Sequence, residues 1–136
     1  VSEDNKRIAR KTFESVWSRG DLSVADQIYT EDYVAHVANM PSAISGLEQF
    51  KQFVALFRAL SPDLHFDVQD QIGEGDKVAT RWMARSRGAS GELAVTGITI
   101  HRVAGGRLAE SWDNWDAMTA FQAMGQDALE TLSLNL

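Results

Sequence analysis

Apolar residues recur every three or four positions through most of the first 60 residues and every second position after that. From Ser2 to Arg19, Ile8, Phe13, Val16 and Trp17 share one side of a helix, with Ser2 or Asp4 as N-cap and Gly20 as the stop. A second short helix fits Leu22 to Tyr29, with Val24, Ala25 and Ile28 inward, and Tyr33 to Ala38 reads as a short strand. The segment Met40 to Gly46 is a loop. In the helix that follows, Phe50, Phe53, Val54, Phe57 and Leu60 form a broad aromatic stripe that ends at Ser61-Pro62.

Beyond Pro62 the period is two. Leu64, Phe66, Val68 and Ile72 mark one strand, and Gly73 to Asp76 turn it. Val78, Thr80, Trp82 and Ala84 mark the next, followed by a turn from Gly88 to Gly91. A long strand over Leu93 to Val103, a turn at Ala104-Gly105-Gly106 and a last strand over Leu108 to Trp115 complete a meander. The tail from Ala117 begins as a helix, and 126–136 is expected to be weakly ordered. Three helices and a short strand ahead of a run of long antiparallel strands predict an α+β fold in one domain, with the helices on one face of the sheet.

Turn length decides which residues share a face, because a one-residue slip sends every side chain to the other side. A three-residue loop Ala104-Gly105-Gly106 with a bulge at Gly106 pairs Val103 with Arg107 and Ile98 with Trp112, whereas a two-residue Gly105-Gly106 turn would scramble this assignment and remove the argument that follows from it. One face then carries Gly97, Thr99, His101 and Val103 with Ala109, Ser111, Asp113 and Trp115. The other carries Ile98, Ile100, Leu108 and Trp112, with Arg102 opposite Glu110. Helices over the small, polar face leave a cavity containing Asp113, Thr99 and Ser111. The greasy face then calls for a partner, and a homodimer formed sheet to sheet is expected.

Composition narrows the chemistry. The 136 residues contain no cysteine, which removes disulfides, thiolate nucleophiles and Cys-based metal sites. A net charge of -6 disfavours a nucleic-acid partner, and Arg81, Arg85 and Arg87, on one face of a strand, read as a solvated row. No apolar run is long enough to span a bilayer and the first residues lack a secretory pattern, so no membrane contact and a cytoplasmic location are expected. His36, His65 and His101 are scattered, without metal-ligand spacing, and no glycine-rich phosphate loop follows a strand, so neither metal nor cofactor is expected. His65, alternating with Leu64 and Phe66, should face outward.

Several segments in order carry a resemblance. They are Gly46-Leu47-Glu48-Gln49-Phe50 leading a helix, Ser61-Pro62-Asp63-Leu64, the turn Gly75-Asp76-Lys77-Val78, and Trp82. Thr96-Gly97-Ile98-Thr99-Ile100-His101-Arg102 and Gly106-Arg107-Leu108-Ala109-Glu110-Ser111-Trp112 follow. Together, from about Ile8 to Gly125, they resemble the SnoaL-like polyketide cyclases of the nuclear-transport-factor-2-like superfamily. The resemblance implies a cone-shaped α+β barrel, usually dimeric, around a hydrophobic pocket. It also implies a cofactor-free intramolecular aldol closure with an acid/base aspartate, which falls on Asp113. The histidine and asparagine of the best-known members fall on Thr99 and Ala35, so this chain lacks both.

An aldol closure needs a proton taken from carbon beside a carbonyl, which a carboxylate does when burial raises its pKa and the enolate is stabilised. His36, His101, Thr99, Ser111 and the indole of Trp115 are the candidates to hydrogen-bond the oxyanion, and Trp17 joins Trp115 as a candidate for the pocket wall. The expected ligand is an apolar, carbonyl-bearing small molecule. Asp113 has another reading as a cap of the turn into the last helix, where Asp116 serves equally well. Two other functions fit the scaffold: binding without turnover, and hydration or epoxide opening by an aspartate-activated water.

Overall fold

In the computed structural model, which describes residues 2–88 and 91–124, the first helix α1 spans Ser2–Lys11 and continues as a π-helical segment over Thr12–Trp17. Thr12, Phe13 and Val16 of this segment all enter the interior. The segment ends at Gly20, whose φ of +69° only glycine adopts readily. A side chain there would also meet Arg58, at 2.6 Å from its Nε.

Arg58 is the tie between helices. One guanidinium nitrogen donates to the carbonyls of Trp17 at 2.7 Å, Ser18 at 2.9 Å and Leu64 at 3.1 Å, and the other to that of Pro62 at 3.1 Å. The carbonyls at a helix end, which have no partner within the helix, are thereby satisfied. Helix α2, Leu22–Ile28, follows, with the Asp21 carboxylate accepting from the backbone of Ser23 and Val24. Strand β1 spans Tyr29–Val37 and so starts four residues before the expected Tyr33. After β2, Ile44–Ser45, comes α3, Leu47–Leu60, whose stripe buries Phe50, Phe53 and Val54 as expected.

The meander consists of β3 (His65–Glu74), β4 (Lys77–Gly88), β5 (Gly91–Ala104) and β6 (Arg107–Trp115), followed by α4 (Ala117–Met124). Residues 89 and 90, at the expected turn after Gly88, and the tail 125–136 lie outside the described residues. The sheet has six strands in the order β2-β1-β6-β5-β4-β3. All neighbours are antiparallel except β1 and β6, which are parallel. The fold is α+β, as read from the pattern; the helical layer differs in detail, with its first member part π-helical and β1 and β2 intervening before α3.

Two bulges set the facing. The β5–β6 turn has two residues, Gly105 and Gly106, with φ of +58° and +77°, and pairs Ala104 with Arg107. This corrects the expected three-residue loop, and alone it would have reversed the facing along β6. Ala109 is an extra residue between the Val103–Leu108 and Arg102–Glu110 pairs, and it restores the parity. Thr99 therefore opposes Asp113 and His101 opposes Ser111. The price falls on Leu108, which goes to the core and not to the outer face. Gln69 plays the same part on β3, between Val68–Trp82 and Asp70–Arg81. Beyond it Gln71 donates inward to Thr80 Oγ1 and the Lys6 carbonyl, and Ile72 lies 67% exposed.

Because Arg58 serves four carbonyls with a planar fork, lysine cannot replace it. Arg58→Lys should lower unfolding stability by about 1–3 kcal/mol in urea titrations, and an unchanged midpoint would show that the tie is dispensable.

Candidate functional site

Between the helices and the inner sheet face lies a cavity in which about 110 Å³ is open to the centre of a water molecule. Its walls are mainly aromatic. Phe13 and Trp17 come from the π-helical segment, Tyr29 and Tyr33 from β1, Phe50, Phe53 and Phe57 from α3, Phe66 from β3, Trp82 from β4 and Trp115 from β6. Trp17 stands edge-on to Phe50, Phe53 and Phe57, and Trp115 edge-on to Phe57. The sheet side is cut back by small residues. Gly97 has no side chain because the Trp82 indole lies over it, and a Cβ would come within 2.3 Å of that ring.

Asp113 is the carboxylate in this wall, partly open to the cavity. Its Oδ1 accepts from the Thr99 hydroxyl at 2.7 Å and its Oδ2 from the Ser111 hydroxyl at 2.8 Å. Each hydroxyl receives a hydrogen bond from behind: Trp82 Nε1 donates to Thr99 Oγ1 at 3.0 Å, and the Tyr33 hydroxyl to Ser111 Oγ at 2.6 Å. Burial pushes the Asp113 carboxyl above its ordinary range, against the pull of the two hydroxyls and the weaker attraction of His36. The capping role belongs to Asp116, which accepts from the Thr119 backbone at 3.2 Å and its hydroxyl at 2.6 Å.

The predicted site residues divide into three groups. Thr99, His101, Asp113, Trp17 and Trp115 reach the cavity wall. Ser111 is fully buried behind Asp113 and acts on it, without lining the space. His36 is a correction: it lies on the opposite sheet face, its Nε2 2.7 Å from Glu110 Oε2 and its ring stacked on Trp112 at 5.5 Å. Period two puts it there, since Tyr33 and Ala35 point inward on the same strand. His65 is exposed as expected, beside Asp67 at 3.1 Å.

Tyr29, Tyr33 and Trp82 were not singled out as site residues from the sequence. Tyr29 and Tyr33 meet edge-on with ring centroids 4.5 Å apart, and Tyr29 also hydrogen-bonds Thr12. Burial pushes both hydroxyls well above the ordinary tyrosine range. Two tyrosines at a four-residue spacing gave no strand signal; the one available cue was their nearness to the start of β1.

His101 is buried, edge-on to Phe13 at 5.9 Å, and its Nδ1 has no hydrogen-bond partner. Desolvation lowers its pKa to about 3, so the ring is neutral at neutral pH. The unfolded chain takes up a proton near pH 6.5 that the folded one refuses, so this contribution to stability is complete above that pH and disappears as pH falls towards about 3. Asp113, with its raised pKa, acts in the opposite direction, so the histidine's part is read as a difference between variants. Between pH 7 and 4.5 the wild type should lose about 2–3 kcal/mol more than His101→Gln in urea unfolding, and equal losses would mean the ring is hydrated.

Residues 7–124 match the SnoaL-like polyketide cyclase family. The structure superposes with a TM-score of 0.83 on a protein from Jannaschia sp. CCS1 assigned to the SnoaL-like polyketide cyclases, 19% identical, covering 91% of this chain and 93% of that one. A protein from Acidithiobacillus ferrooxidans assigned as a polyketide cyclase gives 0.80 at 23% identity, covering 91% and 96%. AclR from Streptomyces galilaeus, assigned as a hydroxylase, gives 0.79 at 18% identity over 92% and 98%. No curated protein matches. At these identities the structures attest to the fold, and the family match supplies the membership: the chain belongs to the SnoaL-like polyketide cyclase family.

Proposed function

We propose that the protein is a cofactor-independent lyase or isomerase that takes a proton from carbon beside a carbonyl in an apolar, polyketide-like small molecule, with Asp113 as general acid/base. The observation that carries this reading is the one carboxylate among the described lining residues, raised in pKa by burial, facing a cavity walled mainly by aromatic and aliphatic side chains. A base with a raised pKa is stronger at neutral pH, and an apolar wall keeps water from competing for the enolate.

His101 is the preferred partner for the substrate oxygen. It lies diagonally from Asp113 across the β5–β6 pair, a relation that spans roughly 7–8 Å. Both side chains reach the same cavity, so a carbonyl compound lying there with its α-carbon at Asp113 presents its oxygen towards His101. A neutral imidazole donates one N–H without the cost of a buried cation. Trp17 and Trp115 supply flat surfaces for a ring system.

The matching test uses 1-tetralone, a bicyclic aryl ketone, in D₂O. Asp113→Asn should slow α-hydrogen exchange by about 10²- to 10⁴-fold and leave quenching of tryptophan fluorescence by the ketone in place. The wild-type rate should rise with pH through the raised titration of Asp113 and then level. Quenching without any enzyme-dependent exchange would instead support a binding protein.

The outer face carries Ile98, 48% exposed, and Ile100 and Trp112 beside it, rimmed by Arg81, Arg102 and Glu110. We propose that a second copy covers it, as the facing pattern first suggested. Sedimentation at micromolar concentration should give a dimer that Ile98→Lys converts to monomer, and a monomeric wild type refutes the assignment.

A further inference from the structure

We propose that Thr99 with Trp82, and Ser111 with Tyr33, are positioning residues that hold Asp113 by two unequal arms, one fixed in direction and one reversible, so that a proton gained by the carboxyl resides on Oδ2. The inference rests on the acid/base reading of Asp113 for its meaning, but not for its test.

The inequality follows from donor inventory. An indole N–H can only donate. With Trp82 Nε1 3.0 Å from Thr99 Oγ1, one acceptor position of that oxygen is occupied from behind, and the hydroxyl hydrogen goes to Asp113 Oδ1 at 2.7 Å. This arm cannot reverse, so Oδ1 is always offered a hydrogen and is a poor place to hold one. Ser111 and Tyr33 are both hydroxyls, each able to donate or accept. In the resting state Tyr33 donates to Ser111 at 2.6 Å and Ser111 to Oδ2 at 2.8 Å. When the carboxyl gains a proton, a rotation of the two hydroxyls lets Oδ2–H donate to Ser111 and Ser111 to Tyr33. The one covalent bond formed is Oδ2–H, its proton coming from the cavity's occupant or from water, and the Tyr33 hydrogen turns from Ser111 towards the cavity that this side chain lines.

The surroundings leave this pair of arms in control. The titratable or charged groups on the cavity wall with Asp113 are Tyr29 and Tyr33 from β1, His101 from β5 and Arg85 from β4, the last paired with Asp67 at 3.0 Å, and His36 acts through the sheet. The π-helical segment and α3 present Thr12, Phe13, Trp17, Phe50, Phe53 and Phe57 there, none charged in the working range. Thr99, Ser111 and Tyr33 are fully buried, so the two arms are themselves shielded from bulk solvent.

The test is the Asp113 titration followed by carboxyl-carbon NMR on the full chain, with Asp113→Asn to assign the signal. Thr99→Val, which keeps the shape and removes the donor, should raise the midpoint by about one pH unit or more, because the hydrogen bond it loses is much stronger to the charged oxygen than to the carbonyl oxygen of the neutral acid. Thr99→Ser should restore it. Ser111→Ala should raise it less, since that arm reverses to accept from the neutral acid and so stabilises both protonation states about equally, and Trp82→Phe and Tyr33→Phe should each move it upward by a smaller amount than the hydroxyl they feed. An unchanged midpoint in Thr99→Val, or a larger rise in Ser111→Ala than in Thr99→Val, overturns the proposal. Because no substrate is involved, a failure of tetralone exchange counts against the acid/base reading and leaves this result standing.

Discussion

A carboxylate taken out of water must have its charge met, and in this protein that need organises the inner face of the sheet. Two hydroxyls, Thr99 and Ser111, each place a hydrogen on one oxygen of Asp113, and each is supplied from behind by Trp82 or Tyr33. The support is enough to keep the group ionisable and too little to cancel burial, so the pKa remains above the ordinary value. More donors would make the carboxylate a poor base; none would leave an unpaired buried charge. The aromatic walls contribute the other half of the balance, since each ring that excludes water strengthens both the desolvation and the hydrogen bonds that offset it.

This arrangement depends on facing, and the facing depends on Ala109. A two-residue turn at Gly105-Gly106 matches the strand twist well but carries the wrong parity for the residues downstream. One inserted residue corrects it and sends Leu108 and Ala109 both to the interior. Without it, Asp113 and Ser111 would face outward beside Ile98 and Ile100, and Trp112 would fill the cavity. Gln69 is the corresponding extra residue on β3, where the shift of facing ends the apolar face early and presents Gln71 to the first helix.

The α+β class, the long strands, α3 and the inward set Thr99, His101, Ser111 and Asp113 were legible because each rests on a local period. Bulges have no period, so the turn was misjudged by one residue while the facing still came out right. His36 was misplaced because the resemblance spoke for its segment and the alternation from Tyr33 spoke against it. Tyr33, Trp82 and Arg58 were invisible as site or scaffold residues for another reason. Their partners lie 78, 17 and 41 positions away, and an i-to-j hydrogen bond at such separation leaves no trace in composition or spacing.

The threonine at 99, where better-known relatives carry histidine by the resemblance, changes the character of the site more than its strength. A histidine hydrogen-bonded to a carboxylate would titrate with it, and the two protons would belong to the pair. Threonine does not titrate. His101 is held neutral down to about pH 3, and Tyr29 and Tyr33 stay protonated well past the ordinary tyrosine range. Between about pH 3 and neutrality, Asp113 is therefore the one described group in the cavity wall that changes charge while its neighbours keep theirs. Each change in the charge state of this wall is then a change at one carboxyl, and the proton it carries comes from or goes to whatever occupies the cavity or to bulk water, never to a neighbouring ring nitrogen.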